Sequence, residues 1–190
     1  VKHNGYFSQR LLDQGYKIDL QKVADFFSGE FLECETGKKD LREVLPKWIK
    51  QWDWHGNIDN LLKFWFEGES ETDSNVVENI KSLRLTGIKC YLVTNNEKYR
   101  TEYLWNFVGL KNFLDGLYSS CYVGYLKHQE EFWEEIYKNF SPIPKQSILL
   151  WDDDLKNIEA ARQFGINAEF YTTFENYEKV MKQKYVNNRI

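Results

Sequence analysis

Apolar residues recur at three- and four-residue intervals through the first third of the chain. Phe7, Leu11 and Leu12 share a helical face before Gly15, and Asp19 is placed to cap a second helix carrying Leu20, Val23 and Phe27. A third helix is predicted from about Lys39 to Trp52, with Leu41, Val44, Leu45, Trp48 and Trp52 in register. A fourth, Asn57 to Phe66, would bury Ile58, Leu61, Leu62 and Trp65. Such spacing marks amphipathic helices, and the short polar connectors predict a small antiparallel bundle. Trp48, Trp52 and Trp65 keep the helical spacing, so they read as bundle core and not as a stacking platform for a ligand.

The polar segment Glu69-Ser70-Glu71-Thr72-Asp73-Ser74 ends this pattern, and helices then alternate with strands. A helix holding Val76, Val77, Ile80 and Leu83 ends near Gly87, and the strand Ile88 to Val93 runs into Thr94-Asn95-Asn96. A helix with Tyr99, Tyr103, Leu104 and Val108 follows, then a strand near Leu117 to Val123 and a helix with Phe132, Trp133, Ile136, Tyr137 and Phe140. The strand Ser147 to Trp151, a helix with Leu155, Ile158, Ala161 and Phe164, and the strand Ala168 to Tyr171 complete the series. Repeated βα units predict an α/β fold, a three-layer sandwich around a parallel, Rossmann-like sheet with right-handed crossovers.

At 190 residues the chain has room for one ordinary domain or a domain with a small insertion. Its 42% apolar share supports a core, and an aromatic share of 17% says that large rings fill much of it. The net charge of −4, without a basic cluster, excludes the footprint of a nucleic-acid binder. No apolar run approaches a membrane span, and the opening Val1-Lys2-His3-Asn4-Gly5 is polar. Three scattered cysteines, Cys34, Cys90 and Cys121, fit reduced thiols better than a disulfide frame or a zinc site. The expectation is a soluble cytoplasmic protein, monomer or homodimer, with no nucleic-acid or membrane partner.

The chemistry gathers where the strands are predicted to end. Ile148-Leu149-Leu150-Trp151 drops into Asp152-Asp153-Asp154, and parallel sheets bind ligands outside the carboxyl ends of their strands. Adjacent acids repel unless a proton or cation neutralises them, and carboxylates are good ligands for Mg²⁺. Capping of the following helix is the plainer explanation, although one acid suffices for a cap. Thr94-Asn95-Asn96 and Lys127 occupy the other strand ends, where Thr94 alone could be a turn cap and Lys127 alone a surface lysine. Together, a hydroxyl, an ammonium group and a metal-binding acid pair describe a phosphate site. Trp54 and His55 fall between two helices of the first segment and are candidates for touching substrate. His128, at the start of a helix, reads as structural or solvent-facing, and His3 as exposed near the terminus.

These segments, in this order, resemble the haloacid dehalogenase superfamily, whose members are mostly Mg²⁺-dependent phosphatases. Leu92-Val93-Thr94-Asn95-Asn96 resembles its second motif, Val123-Gly124-Tyr125-Leu126-Lys127 its third, and Trp151 to Ala161 its fourth. The fourth is fairly specific, whereas the second and third persuade only in sequence order. The resemblance implies that Thr94, Asn95 and Lys127 contact phosphate, with Thr94 and Lys127 catalytic. It makes Asp153 the leading Mg²⁺ ligand, Asp152 a second, and Asn157 a support for the loop or the lysine. It also implies a domain plan: residues 1–8 as core remnant or linker, 9–70 as an inserted helical cap, and 71–190 as the α/β core.

One departure sets the functional expectation. The family's first motif, a strand ending in Asp-x-Asp, carries the nucleophile, and nothing of that kind stands ahead of the helical segment. Asp13, Asp19 and Asp25 have helical or turn contexts. In the family this strand lies between those ending at Thr94 and Trp151, and omitting it would strand backbone groups at roughly 1–3 kcal/mol each. The expectation is therefore a strand ahead of Val1, and near-inactivity of these 190 residues without it. The complete protein is expected to hydrolyse a small phosphorylated metabolite through an aspartyl-phosphate. A non-catalytic relative that binds a phosphorylated ligand or protein partner is the alternative. A haloacid dehalogenase, which needs no metal, and a receiver-like domain fit less well.

Overall fold

The computed structural model describes residues 6–186. The chain divides into two compact units, Val1–Gly124 and Tyr125–Ile190. Both are α/β, and among the described residues the strands pair in parallel.

The first unit begins with five helices: α1 (Phe7–Asp13), α2 (Leu20–Ser28), α3 (Glu30–Glu35), α4 (Leu41–Ile49) and α5 (Ile58–Glu67). Their starts are written in the sequence. Asp19 and Asp40 accept the N–H two residues on, and Asn57 accepts that of Asn60, which satisfies donors that a helix N-terminus leaves open. The apolar faces meet in an aromatic core, where Trp52 is 0% exposed and lies edge-on to Phe26 at 5.0 Å and to Phe7 at 5.6 Å. Trp48 and Trp65 are buried beside it, as their spacing predicts. At the far end of α5, Arg10 donates to the carbonyls of Phe64 and Trp65, and Arg100 to those of Phe66 and Glu69.

The helix α6 (Ser74–Leu85), capped by Asp73, leads to β1 (Tyr91–Thr94). Then come α7 (Lys98–Glu102), β2 (Gly116–Ser119) and the single turn α8 (Ser120–Val123). The register pairs Tyr91 with Gly116 and Thr94 with Ser119. Gly37 has φ +70° and sits so near the carbonyl of Cys121 that a Cβ there would lie 2.2 Å from the oxygen, which is why the loop after α3 can approach α8.

The second unit contains α9 (Glu130–Tyr137), β3 (Leu149–Asp152), α10 (Leu155–Phe164), β4 (Asn167–Phe170) and α11 (Phe174–Val180). Leu149 pairs with Asn167 and Asp152 with Phe170. Asp154 caps α10, and Gly165, at φ +101°, ends it.

Several expectations change. The α/β class and the parallel pairing hold, but among the described residues the strands form two separate pairs, β1–β2 and β3–β4. The pairs use one edge of β1 and one of β3, and no described strand hydrogen-bonds to the other edges. That is where the resemblance expects the first-motif strand. The strand expected near Leu117 to Val123 stops at Ser119, and Cys121 lies in α8, not in a strand. α3 has no counterpart in the prediction, because a six-residue helix burying only Phe31 and Cys34 shows almost no periodicity. All three cysteines are free thiols. No helix among the described residues is long and apolar enough to cross a membrane.

The indole N–H of Trp52 is buried without an acceptor among the described residues. Trp52→Ala should therefore cost about 3–5 kcal/mol of stability by opening a cavity. Trp52→Phe should cost much less, because it also removes an unsatisfied donor. Urea denaturation of both variants checks the contrast.

Candidate phosphate and metal site

Thr94 is the last residue of β1, and its register opposite Ser119 brings the end of β2 alongside the loop Asn95-Asn96. The loop is held by hydroxyls. Ser120 Oγ accepts the N–H of Asn96 at 3.1 Å, and Ser119 Oγ donates to the Asn96 carbonyl at 3.1 Å. Ser119 is in turn 2.7 Å from Thr101 Oγ1, both fully buried. Asn96 Nδ2 donates to Thr94 Oγ1 at 2.5 Å. A hydroxyl has one proton and two lone pairs, so a Thr94 oxygen that already accepts keeps its own proton to donate. Asn95 is half-buried in the same loop.

Glu97 follows directly and is only 1% exposed. Its two carboxylate oxygens accept the N–H groups of Tyr99 at 2.7 Å and Arg100 at 2.5 Å, capping α7. Burial raises its pKa to about 7, against the opposing pull of those two donors.

The second unit carries the acids. Lys127 Nζ lies 2.5 Å from Asp152 Oδ2, with the two side chains 12% and 3% exposed. Asp152 Oδ1 also accepts Asn157 Nδ2 at 3.0 Å and the N–H of Asp154 at 2.9 Å. Trp133 Nε1 fixes the lysine's backbone by donating to the Lys127 carbonyl at 2.7 Å. Asp153 is exposed and has no side-chain hydrogen bond or ion pair among the described residues. Thus Lys127, Asp152 and Asn157 come together, with Asp153 at the adjoining surface, while Thr94 and Asn95 belong to the other unit.

The donor set fits Mg²⁺. No three His, Cys, Asp or Glu side chains cluster among the described residues, but this ion is usually held by one or two carboxylates with waters and substrate phosphate. Asp153 offers free oxygens, and Asn157 Oδ1 is buried without a partner beside Asp152.

Trp54 stacks on Tyr16 at 5.2 Å and donates from Nε1 to the Asn57 carbonyl at 3.1 Å. His55 is exposed and 3.6 Å from Asp53. Neither lines a cleft of about 530 Å³ in the first unit, walled by Phe7, Val23, Phe27, Phe31 and Trp65, with Asn96, Glu97 and Arg100 also lining it. His128 is exposed in the turn before α9, and His3 lies outside the described residues. Sequence reasoning missed Ser119, Ser120, Thr101 and Glu97. The polar pair Ser119-Ser120 at the end of an apolar strand is the one signal that could have found part of this group.

Residues 31–170 match the family model of the haloacid dehalogenase-like hydrolases. No curated protein sequence matches. Among solved structures, the chain is similar to a haloacid dehalogenase (HAD) family enzyme from Bacteroides thetaiotaomicron crystallised with magnesium and inorganic phosphate. The identity is 14% and the TM-score 0.77, covering 94% of this chain and 92% of that one. A predicted HAD-like hydrolase from Porphyromonas gingivalis is 20% identical with a TM-score of 0.73, covering 92% and 87%. An L-2-haloacid dehalogenase from Xanthobacter autotrophicus, with chloropropionic acid covalently bound, is 11% identical with a TM-score of 0.57, covering 87% and 69%. At these identities the structures establish a shared fold.

Two outcomes follow from the geometry. Asp152→Ala leaves a buried ammonium group and a buried amide without their partner and should cost about 3–5 kcal/mol in chemical denaturation. Glu97 keeps its proton in the folded chain at pH values where the unfolded chain, with a carboxyl near 4.5, has lost it. Stability should therefore fall as pH rises from about 4.5 to 7, by up to about 3 kcal/mol, and level off above. Glu97→Gln offers one acceptor in place of two and lowers the baseline, but unfolding curves at pH 5 and 8 should show that slope removed.

Proposed function

Because the chain belongs to the haloacid dehalogenase-like hydrolases, we propose that its residues serve a Mg²⁺-dependent phosphatase of a small phosphorylated metabolite. The observation that carries this reading is the occupied state of Asp152. An acid bound to Lys127, Asn157 and a backbone N–H is fixed in place, while its neighbour Asp153 faces solvent with free oxygens. Asp153, with Asp152, would hold the ion, which when bound supplies positive charge to a phosphoryl oxygen. Lys127 would neutralise further charge, and Asn157 keeps Asp152 oriented. Thr94 would donate its hydroxyl proton to a phosphoryl oxygen, and the backbone at Asn95 would hold another.

None of these groups is an obvious attacking group. Thr94 Oγ1 already accepts from Asn96 and has no base beside it among the described residues, and Asp152 is held by three donors. The resemblance assigns attack to an aspartate in an Asp-x-Asp segment ahead of the cap, and this sequence has no matching residue there. We therefore read the 190 residues as competent to bind phosphate and nearly incompetent to cleave its esters. A non-catalytic phosphate-binding protein shares that prediction. A dehalogenase reading would leave the exposed Asp153 without a task. A cytoplasmic location and a monomeric or homodimeric state complete the proposal.

Calorimetric titration with inorganic phosphate and Mg²⁺ tests it. Thr94→Ala and Lys127→Ala should each weaken phosphate binding by about tenfold or more, consistent with lost charge-assisted hydrogen bonds. Asp153→Ala should abolish the Mg²⁺ dependence. Hydrolysis of 4-nitrophenyl phosphate should stay near background, since loss of a nucleophile costs on the order of 10⁶ in turnover. Undiminished phosphate binding in all three variants would refute the site.

A further inference from the structure

The 530 Å³ cleft of the first unit lies within the range of small-molecule sites, and one of its lining residues ties it to the Thr94 loop. Asn96 lines the cleft and also donates to Thr94 Oγ1, so the cavity adjoins the proposed phosphoryl contact. We infer that the cleft receives the organic part of a phosphate monoester and that this part is an aromatic or bulky alkyl group, not a sugar. The inference rests on the reading of Thr94 given above.

The walls argue for an apolar guest because the charged groups among them are already committed. Glu69 accepts the N–H of Phe7 at 3.2 Å with one oxygen and Trp65 Nε1 at 3.1 Å with the other. Both oxygens of Glu97 are held by backbone N–H groups. Arg100 directs its two terminal nitrogens at the carbonyls of Phe66 and Glu69. Glu35 is not free either. The Ser8 hydroxyl and the Asn96 amide oxygen could meet one or two hydroxyls of a sugar, but the rest would face groups already fixed by other partners, and each buried hydroxyl without a partner is unfavourable. An aryl or alkyl body would instead gain from contact with Phe27, Phe31 and Trp65.

The rim gives an independent indication. Tyr6 and Leu20 line the cleft yet are 73% and 53% exposed, an arrangement that marks ligand grooves better than it serves folding. On α2, Leu20, Ala24 and Phe27 fall four and three residues apart and present one apolar stripe to the cleft.

Calorimetric titration of the full chain, with Mg²⁺ present, compares 1-naphthyl phosphate, glucose 6-phosphate and inorganic phosphate. The aryl ester should bind at least about tenfold tighter than the sugar ester. Ala24→Trp places a ring in the cleft from an exposed helical position and should erase this preference while leaving inorganic phosphate binding unchanged. Leu20→Gln, a milder change at the rim, should reduce the preference several-fold. Equal or tighter binding of glucose 6-phosphate, or a preference that survives Ala24→Trp, would overturn the inference while phosphate binding still upholds the site. If inorganic phosphate does not bind and Thr94→Ala changes neither ester, the phosphate reading itself has failed, and this inference with it.

Discussion

The carboxylate of Asp152 is the fixed point of the second unit. A buried ion pair is stabilising only when its remaining hydrogen-bonding capacity is met, since removing two charges from water costs several kcal/mol per ion (an order-of-magnitude figure). Here Lys127 supplies the counter-charge, while Asn157 and the Asp154 N–H supply further donors. The last residue of β3 is thereby joined to the turn before α9 and to the first turn of α10. Asp153 follows in the bend just past β3 and is exposed. Two adjacent acids acquire opposite duties from one backbone: one organises the protein, and the other is left to meet solvent or an ion.

The first unit reaches a comparable result with neutral groups. Ser119 and Ser120 fix both backbone polar groups of Asn96, and the Asn96 amide occupies an acceptor position of Thr94. A free threonine could donate or accept with equal ease. This one has an acceptor position filled and its proton still available, which suits an oxygen-rich ligand and requires no charge. The arrangement depends on the parallel register that sets Thr94 opposite Ser119. A slip of one residue would turn each side chain to the other face.

Much of this was legible in the sequence, to different depths. Helix starts at Asp19, Asp40 and Asn57 were marked by side chains whose capping chemistry is local. The strand ends at Thr94 and Asp152 were marked by apolar runs meeting polar clusters. What could not be read depended on distant pairing. Nothing local distinguishes Asp152 from Asp153; the difference arises because Lys127, 25 residues earlier, selects one of them. Ser119 and Ser120 looked like the interior of a strand because an irregular turn leaves no periodic trace. Trp54 was placed correctly between two helices, yet its stacking on Tyr16 has no signature at sequence separations so long. The division of the strands into the pairs β1–β2 and β3–β4 has no local mark in the sequence either.

The fate of the arginines near the cleft bears on how phosphate can be recognised. A helix leaves its last carbonyls unpaired at the negative end of its dipole. Arg10 and Arg100 are both spent there, on the carbonyls that end α5 and begin the connection to α6. Burial also lowers the pKa of Arg100 from its ordinary value, the expected response of a cation withdrawn from water. These cations lock the end of α5 to α1 and α7, and they are then unavailable as a bidentate clamp on a phosphoryl group. The charged groups that line the cleft, Glu69, Glu97 and Arg100 among them, are likewise engaged with protein partners.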